Sequence, residues 1–92
     1  MSSAQVKEAV KVVASAVSVK RSLVVQVSED GFVSGVRLLS GVVRRWDTWD
    51  FGERTVAVAA VAHDRYLSNL PNREGRFPSR DEVAAAERRL NF

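Results

Sequence analysis

The sequence lacks the residue types on which many metal sites and all disulfides depend. None of its 92 residues is cysteine, and His63 is its only histidine. The absence of cysteine excludes disulfide scaffolds and zinc sites built on thiolates. A single histidine likewise excludes a histidine-rich metal site. We therefore expect neither a metal nor a cofactor.

The polar residues that are present form no recognisable catalytic motif. His63 is the only candidate general base, and it lies beside Asp64 on a predicted apolar helical stripe. A lone histidine in such a position is more often a packed or hydrogen-bonded structural residue than a catalyst. The glycines are spaced for turns and not for a phosphate-binding loop. The sequence thus predicts a protein without enzymatic activity and without catalytic residues.

Long apolar runs are also missing. No run approaches the ~20 residues that span a bilayer, and the N-terminus lacks the basic-then-apolar layout of a signal peptide. We expect a cytoplasmic protein that does not insert into membranes. Its 14 basic and 11 acidic residues are interspersed and give a net charge of +3. This mild excess is weak support for nucleic-acid binding, and ordinary surface arginines explain it equally well.

Residues 22–38 predict a β-hairpin that turns at Asp30-Gly31. Asp-Gly between alternating apolar runs is typical of a two-residue type I′ turn, which needs positive φ at both positions. One face would then hold the pairs Leu23–Leu38, Val25–Val36 and Val27–Ser34, and the other the pairs Val24–Arg37, Gln26–Gly35 and Ser28–Val33. A lone hairpin is marginally stable, so helices must cover its apolar face.

Residues 2–18, before the hairpin, predict a helix. Its apolar positions Val6, Val10, Val13 and Val17 recur at helical spacing, and Ser2 with Gln5 fits a capping box. Residues 42–46, after the hairpin, predict either a short third strand or an extended lead into the next helix.

Residues 47–70 predict a long second helix, capped by Asp47, Thr48 or Asp50. Its apolar stripe comprises Val56, Ala59, Ala60, His63, Tyr66, Leu67 and Leu70. A loop follows over residues 71–78, and Ser79 with Glu82 forms a capping box for a last helix over residues 79–90. The expected architecture is one α+β domain over residues 1–92, with a core at 3–70.

Two groups of residues are candidate binding surfaces. Tryptophan is enriched at interface hot spots, so Trp46 and Trp49 of W-D-T-W-D are candidates for partner binding, together with the thin stripe Val83 and Leu90 of the last helix. The alternative for the tryptophans is that they cap the core. The cations Lys20, Arg21, Arg37, Arg44 and Arg45 are candidates for gripping phosphates. The alternative for the arginines is protection of a sheet edge against aggregation.

The order of helix, hairpin with a third strand, and long helix resembles the YbaB/EbfC-like family over residues 3–70. The resemblance rests on L-V-V-Q-V-S-E-D-G-F-V-S-G-V-R-L, on V-V-R-R-W, and on F-G-E-R-T-V-A-V-A-A-V-A-H-D. It implies a homodimer formed through the sheets. It also implies, from the founding bacterial members, DNA binding without marked sequence preference. The long Lys/Gln/Met-rich N-terminal helix of that family is missing here.

The C-terminal R-F-P-S-R-D-E-V-A-A-A-E-R-R-L-N-F resembles the tail of small YbaB-like proteins associated with type VII (ESX) secretion in mycobacteria and their relatives. That resemblance implies a cytoplasmic, chaperone-like accessory module that binds a protein of the secretion system and forms a homodimer. The alternative function is that of a nucleoid-associated homodimer that binds DNA without sequence specificity.

Overall fold

The computed structural model describes residues 11–71, 75 and 77–92, which form a small α+β domain with one antiparallel three-stranded sheet. Strand β2 lies in the centre of the sheet, between β1 and β3. The elements are β1 (Val12–Val17), β2 (Leu23–Ser28), β3 (Val33–Leu38), a 3₁₀ turn (Gly41–Arg45), α1 (Thr48–Ser68) and α2 (Arg80–Glu87).

The core lies between the sheet and α1. The central strand contributes Leu23, Val25 and Val27, all completely buried. On β1 the core positions are occupied by Ala14 and Ala16, whose small side chains let the helix approach the sheet closely. From α1, α2 and the residues that follow α2, the side chains that complete this cluster are Val58, Val61, Ala62, Val83 and Leu90.

The predicted hairpin is present, and most of its predicted register is confirmed. Leu23 pairs with Leu38 and Val25 with Val36, and the intervening residues pair as expected. Val27, however, pairs with Val33 and not with Ser34. Ser34 is the extra residue and forms a β-bulge. Beyond this bulge, from the pair Gln26–Gly35 to the pair Leu23–Leu38, the register is the predicted one.

The turn itself differs from the predicted type. Ser28 N donates to Phe32 O and Gly31 N donates to Ser28 O, at 2.8 and 2.9 Å, so the loop has three residues. Gly31 has a φ of 85°, whereas Asp30 is not among the residues with positive φ. A type I′ turn is therefore wrong. A left-handed glycine at the end of a three-residue loop makes the connection instead.

The helix predicted over residues 2–18 is wrong where the structure describes it. Val12–Val17 is strand β1 and pairs antiparallel with β2. Ala14 and Ala16 face the core while Ser15 is exposed, so the period is that of a strand. Pairing with β2 and the β-branched valines outweigh the helical spacing. Residues 2–10 of the predicted helix lie outside the described residues.

Both alternatives predicted for residues 42–46, a short third strand and an extended lead into the next helix, are also wrong. Gly41–Arg45 forms a 3₁₀ turn, which Ser40 caps by accepting a hydrogen bond from Val42 N. Val43 is buried and fixes the turn to the domain. The sheet does have three strands, but the third is β1.

The long helix α1 is confirmed, and Asp47 caps it by accepting a 2.7 Å hydrogen bond from Asp50 N. The predicted apolar stripe is divided by the fold: Val56, Ala60 and His63 are exposed, whereas Ala59 and Tyr66 pack against the core. The residues that face the core are Val58, Val61 and Ala62. Alanine and valine occupy both sides of this helix, so only part of the predicted stripe lies on its outer side.

Helix α2 has the predicted capping box of Ser79 and Glu82, although it ends at Glu87 and not near residue 90. Its Glu87 joins three elements. Arg65 of α1 makes two hydrogen bonds to the Glu87 carboxylate, at 2.9 and 3.0 Å, and also donates to Ser15 O at 2.8 Å. Val17 N donates to Glu87 Oε2 at 2.9 Å. The outer edge of β1 is thus covered by side chains.

The C-terminal residues continue this cover. Val19 N donates to Leu90 O at 2.8 Å, and Lys20 N donates to Phe92 O at 3.1 Å. Phe92 packs edge-to-face on Trp46, with ring centroids 5.8 Å apart, and the Arg54 guanidinium lies over the Trp46 ring at 4.5 Å. The tail is therefore held at both its backbone and its last side chain.

Replacement of Gly31 by alanine is expected to destabilise the domain by about 1–3 kcal/mol. The backbone there has positive φ, and an added Cβ would lie 3.0 Å from the Tyr66 ring. Gly41→Ala is the matched control, because a Cβ at that position meets nothing within 4 Å. Urea unfolding of the two variants measures the difference. Equal midpoints would contradict the role of Gly31.

The Arg65–Glu87 contact predicts a pH dependence of stability. The hydrogen bond from Arg65 is the main cause that lowers the pKa of Glu87 below its ordinary value of 4.5. A carboxyl whose pKa is lower in the folded state stabilises it above the ordinary value, and this contribution is lost as the pH falls through the lowered pKa.

Thermal unfolding of the unmodified protein and of Glu87→Gln tests this directly. The loss of melting temperature on acidification below pH 4.5 should be smaller in the variant, since the amide does not titrate. Parallel curves for the two proteins would show that Glu87 contributes nothing to the acid sensitivity.

Candidate partner-binding surfaces

The outer side of α1 exposes an apolar surface. Trp49 is 72% exposed and Val56 is 68% exposed. They lie two turns apart, so they project from the same side of the helix. The surface around them is an open depression of about 740 Å³, whose described lining residues are Thr48, Trp49, Gly52, Glu53, Val56 and Ala57. An exposed tryptophan beside small residues offers a large contact area at low entropic cost.

Strand β3 has a second exposed apolar surface. Directly paired residues in an antiparallel sheet point to the same face. Val36 and Leu38 therefore share the face of their buried partners Val25 and Leu23. Among the described elements, helix α1 packs mainly on β1 and β2 and makes few contacts with β3. We call Val33, Val36 and Leu38 the open face of β3, and all three are exposed.

The two apolar surfaces are neighbours. The Tyr66 ring contacts Gly31 in the β2–β3 turn and its hydroxyl donates to Glu29 O, so this side of α1 is turned towards β3. Ala59 and Gly52 lie two and four turns before Tyr66 and share its side of the helix. The small residues Gly52 and Ala59 therefore lie on the side of α1 that is turned towards β3.

The structure separates the four predicted partner-binding residues. Trp49 is exposed, as a binding residue must be, whereas Trp46 is partly buried against Phe92 and Arg54. Val83 and Leu90 are only 2% and 6% exposed and belong to the core, so their assignment to a partner surface is corrected. These two residues pack in one core cluster with side chains of α1 and β1.

The five candidate cations all lie exposed at one end of the sheet. Lys20 and Arg21 occupy the β1–β2 turn, and Arg37 lies near the end of β3. Leu39 N donates to Ser22 O at 2.9 Å, which holds the β3 end against that turn. Arg44 and Arg45 follow in the 3₁₀ turn. We call these five residues the basic end.

A buried hydroxyl pair fixes the shape of the β1–β2 turn. The Ser18 and Ser22 hydroxyls lie 2.8 Å apart, and Ser18 Oγ accepts from Ser22 N and Leu23 N. Arg21 adopts a φ of 56° in this turn, the only positive value at a non-glycine residue that the structure describes. The turn therefore holds an arginine in a conformation that favours glycine or asparagine.

The described residues contain no cluster of three or more histidine, cysteine or acidic side chains suited to a metal ion. His63, the one candidate general base, is exposed, and its ring lies 5.9 Å from that of Tyr66. None of the helices that the structure describes is long and apolar enough to cross a membrane.

Comparison with known proteins found no match among protein-family models, curated proteins or solved structures.

Sequence reasoning missed two features of these surfaces. It described one apolar stripe on α1 and did not foresee that Val56 and Ala60 of that stripe are exposed. It also identified the cations of the basic end without the exposed aliphatic residues among them. The sequence does carry a signal for the exposed side of α1, because apolar residues occur on two sides of this helix. Each apolar side needs a partner that buries it.

Proposed function

We propose that this protein is a non-enzymatic accessory module that binds another protein in the cytoplasm through the outer side of α1, as expected for a YbaB-like protein of a type VII secretion system. The observation that carries the proposal is the exposure of Trp49 and Val56 on one side of α1. Side chains of this kind supply much of the binding energy when a partner buries them.

The form of the surface supports a protein partner. Glycine and alanine at positions 52, 59 and 60 allow a second helix or a loop to approach the α1 backbone closely. Glu53 borders the depression as its one charged described lining residue. A contiguous apolar patch rimmed by polar groups is typical of interaction sites.

Self-association is the second part of the proposal. The open face of β3 continues the sheet face that α1 covers elsewhere, and β3 also has a free outer edge within the described residues. A second copy that buries Val33, Val36 and Leu38 against its own open face would give the homodimer that the family resemblance implies. Nucleoid-type DNA binding by the basic end stays a prediction.

Light scattering over a range of concentrations is expected to give the mass of a dimer. Val36→Asp introduces a charge into the open face and should shift the protein to monomers. Arg37→Asp places an acidic side chain on the same strand but on the opposite face, because Arg37 pairs with Val24, and should leave the dimer intact. A dimer that persists in Val36→Asp, with both variants folded by circular dichroism, would place the interface elsewhere.

A photo-crosslinking amino acid in place of Trp49 is expected to capture a protein in cells of the source organism. Mass spectrometry of the adduct should identify a component of the secretion system. The same reagent at Arg80, exposed at the start of α2, is the control position. Identical adducts from both positions, or none from position 49, would argue against α1 as the binding surface.

A further inference from the structure

The basic end also carries exposed aliphatic side chains. Val19, Leu39 and Val42 are 50, 45 and 43% exposed, although each is large enough to be placed in a core. Each one lies within two residues of a cation. Three successive segments of the chain thus present the same combination, an aliphatic side chain beside one or two basic ones.

The fold brings these segments to one end of the sheet. The β1–β2 turn and the end of β3 are joined by the hydrogen bond between Leu39 N and Ser22 O, and the 3₁₀ turn follows directly. The acidic residues Glu29 and Asp30 occupy the turn at the opposite end of β2 and β3. The hairpin is therefore polarised, with its positive and negative ends a strand length apart.

The backbone of the basic end is fixed from behind. The Ser18 hydroxyl holds the first turn, and the N–H groups of Val19 and Lys20 are occupied by carbonyls of the C-terminal tail. Val43 is buried beside the exposed Val42 and anchors the 3₁₀ turn. The side chains of Val19, Lys20 and Val42 consequently project from rigid positions.

We infer that the basic end adsorbs to the surface of membranes that contain anionic lipids. Anionic headgroups attract the lysine and arginine side chains, and the aliphatic side chains enter the interface between headgroups and acyl chains. A nucleic acid would engage the cations but would leave Val19, Leu39 and Val42 in water. The acidic turn at Glu29 and Asp30 is repelled by the same surface, so the molecule would adsorb in one orientation.

This contact needs no membrane-spanning segment, and it does not use Trp49 or the open face of β3. The proposal is therefore independent of the proposed function. It adds a location for that function, namely the membrane surface at which a secretion system operates.

Co-sedimentation with vesicles tests the inference. We expect binding to vesicles of phosphatidylcholine mixed with phosphatidylglycerol and none to phosphatidylcholine alone. Arg44→Ala with Arg45→Ala should weaken binding about 30-fold, at roughly fivefold for each cation. Val19→Ser with Leu39→Ser should weaken it about tenfold through lost apolar burial.

Matched controls lie on other surfaces of the domain. Arg80→Ala removes an exposed cation from α2, and Val12→Ser removes an exposed aliphatic side chain from the start of β1, at the end of the sheet away from the basic end. Both should bind vesicles as the unmodified protein does. Circular dichroism confirms that every variant is folded.

Three results would overturn the inference. The first is equal binding to both kinds of vesicle. The second is a loss in the arginine variant without a loss in the Val19/Leu39 variant, which would show a purely electrostatic contact. The third is displacement from the vesicles by random-sequence duplex DNA at near-physiological salt, which would assign the basic end to nucleic acid.

Discussion

The layout of this domain depends on the width of one helix relative to the width of the sheet. A helix with its side chains is about 10 Å wide, whereas strands are spaced about 4.8 Å apart. Helix α1 therefore packs mainly on β1 and β2, where Ala14 and Ala16 let it approach closely, and makes few contacts with β3. The open face of β3 follows from this mismatch in width. Helix α1 also carries apolar residues on two sides, and among the described residues only one of these sides packs against the sheet.

At the opposite edge of the sheet, an ion pair contacts the backbone of β1. The Arg65 guanidinium and the Glu87 carboxylate satisfy each other and the outward backbone groups of Ser15 and Val17. Because the carboxylate accepts from both a guanidinium and a backbone N–H, one side chain connects both helices to β1. The short helix α2 has few apolar residues of its own, and this contact together with buried Val83 and Leu90 holds it in place.

Prediction from sequence succeeded where local chemistry decides the structure. The position of the Asp30-Gly31 turn, though not its type, the capping box at Ser79 and the start of α1 at Asp47 each depend on residues within four positions of one another. It failed where distant partners decide. Val12–Val17 satisfies both helical and strand spacing, and pairing with β2 selects the strand. In α1, valines at positions 56 and 58 point to opposite sides, and only packing determines which is buried. The sequence singled out the five cations as one group of phosphate-binding candidates, and the structure places them at one end of the sheet. The aliphatic residues among them had no local signal.

The covered edge of β1 has a consequence for how large an assembly can grow. A sheet that offers a single free edge or face can form a closed pair, after which growth stops. A sheet free at both edges can add copies without limit, as fibrils do. The Arg65–Glu87 contact occupies outward backbone groups of β1, and the residues after α2 hold the adjoining β1–β2 turn through Leu90 O and Phe92 O. Removal of these contacts would leave this edge open to pairing with a strand of another copy.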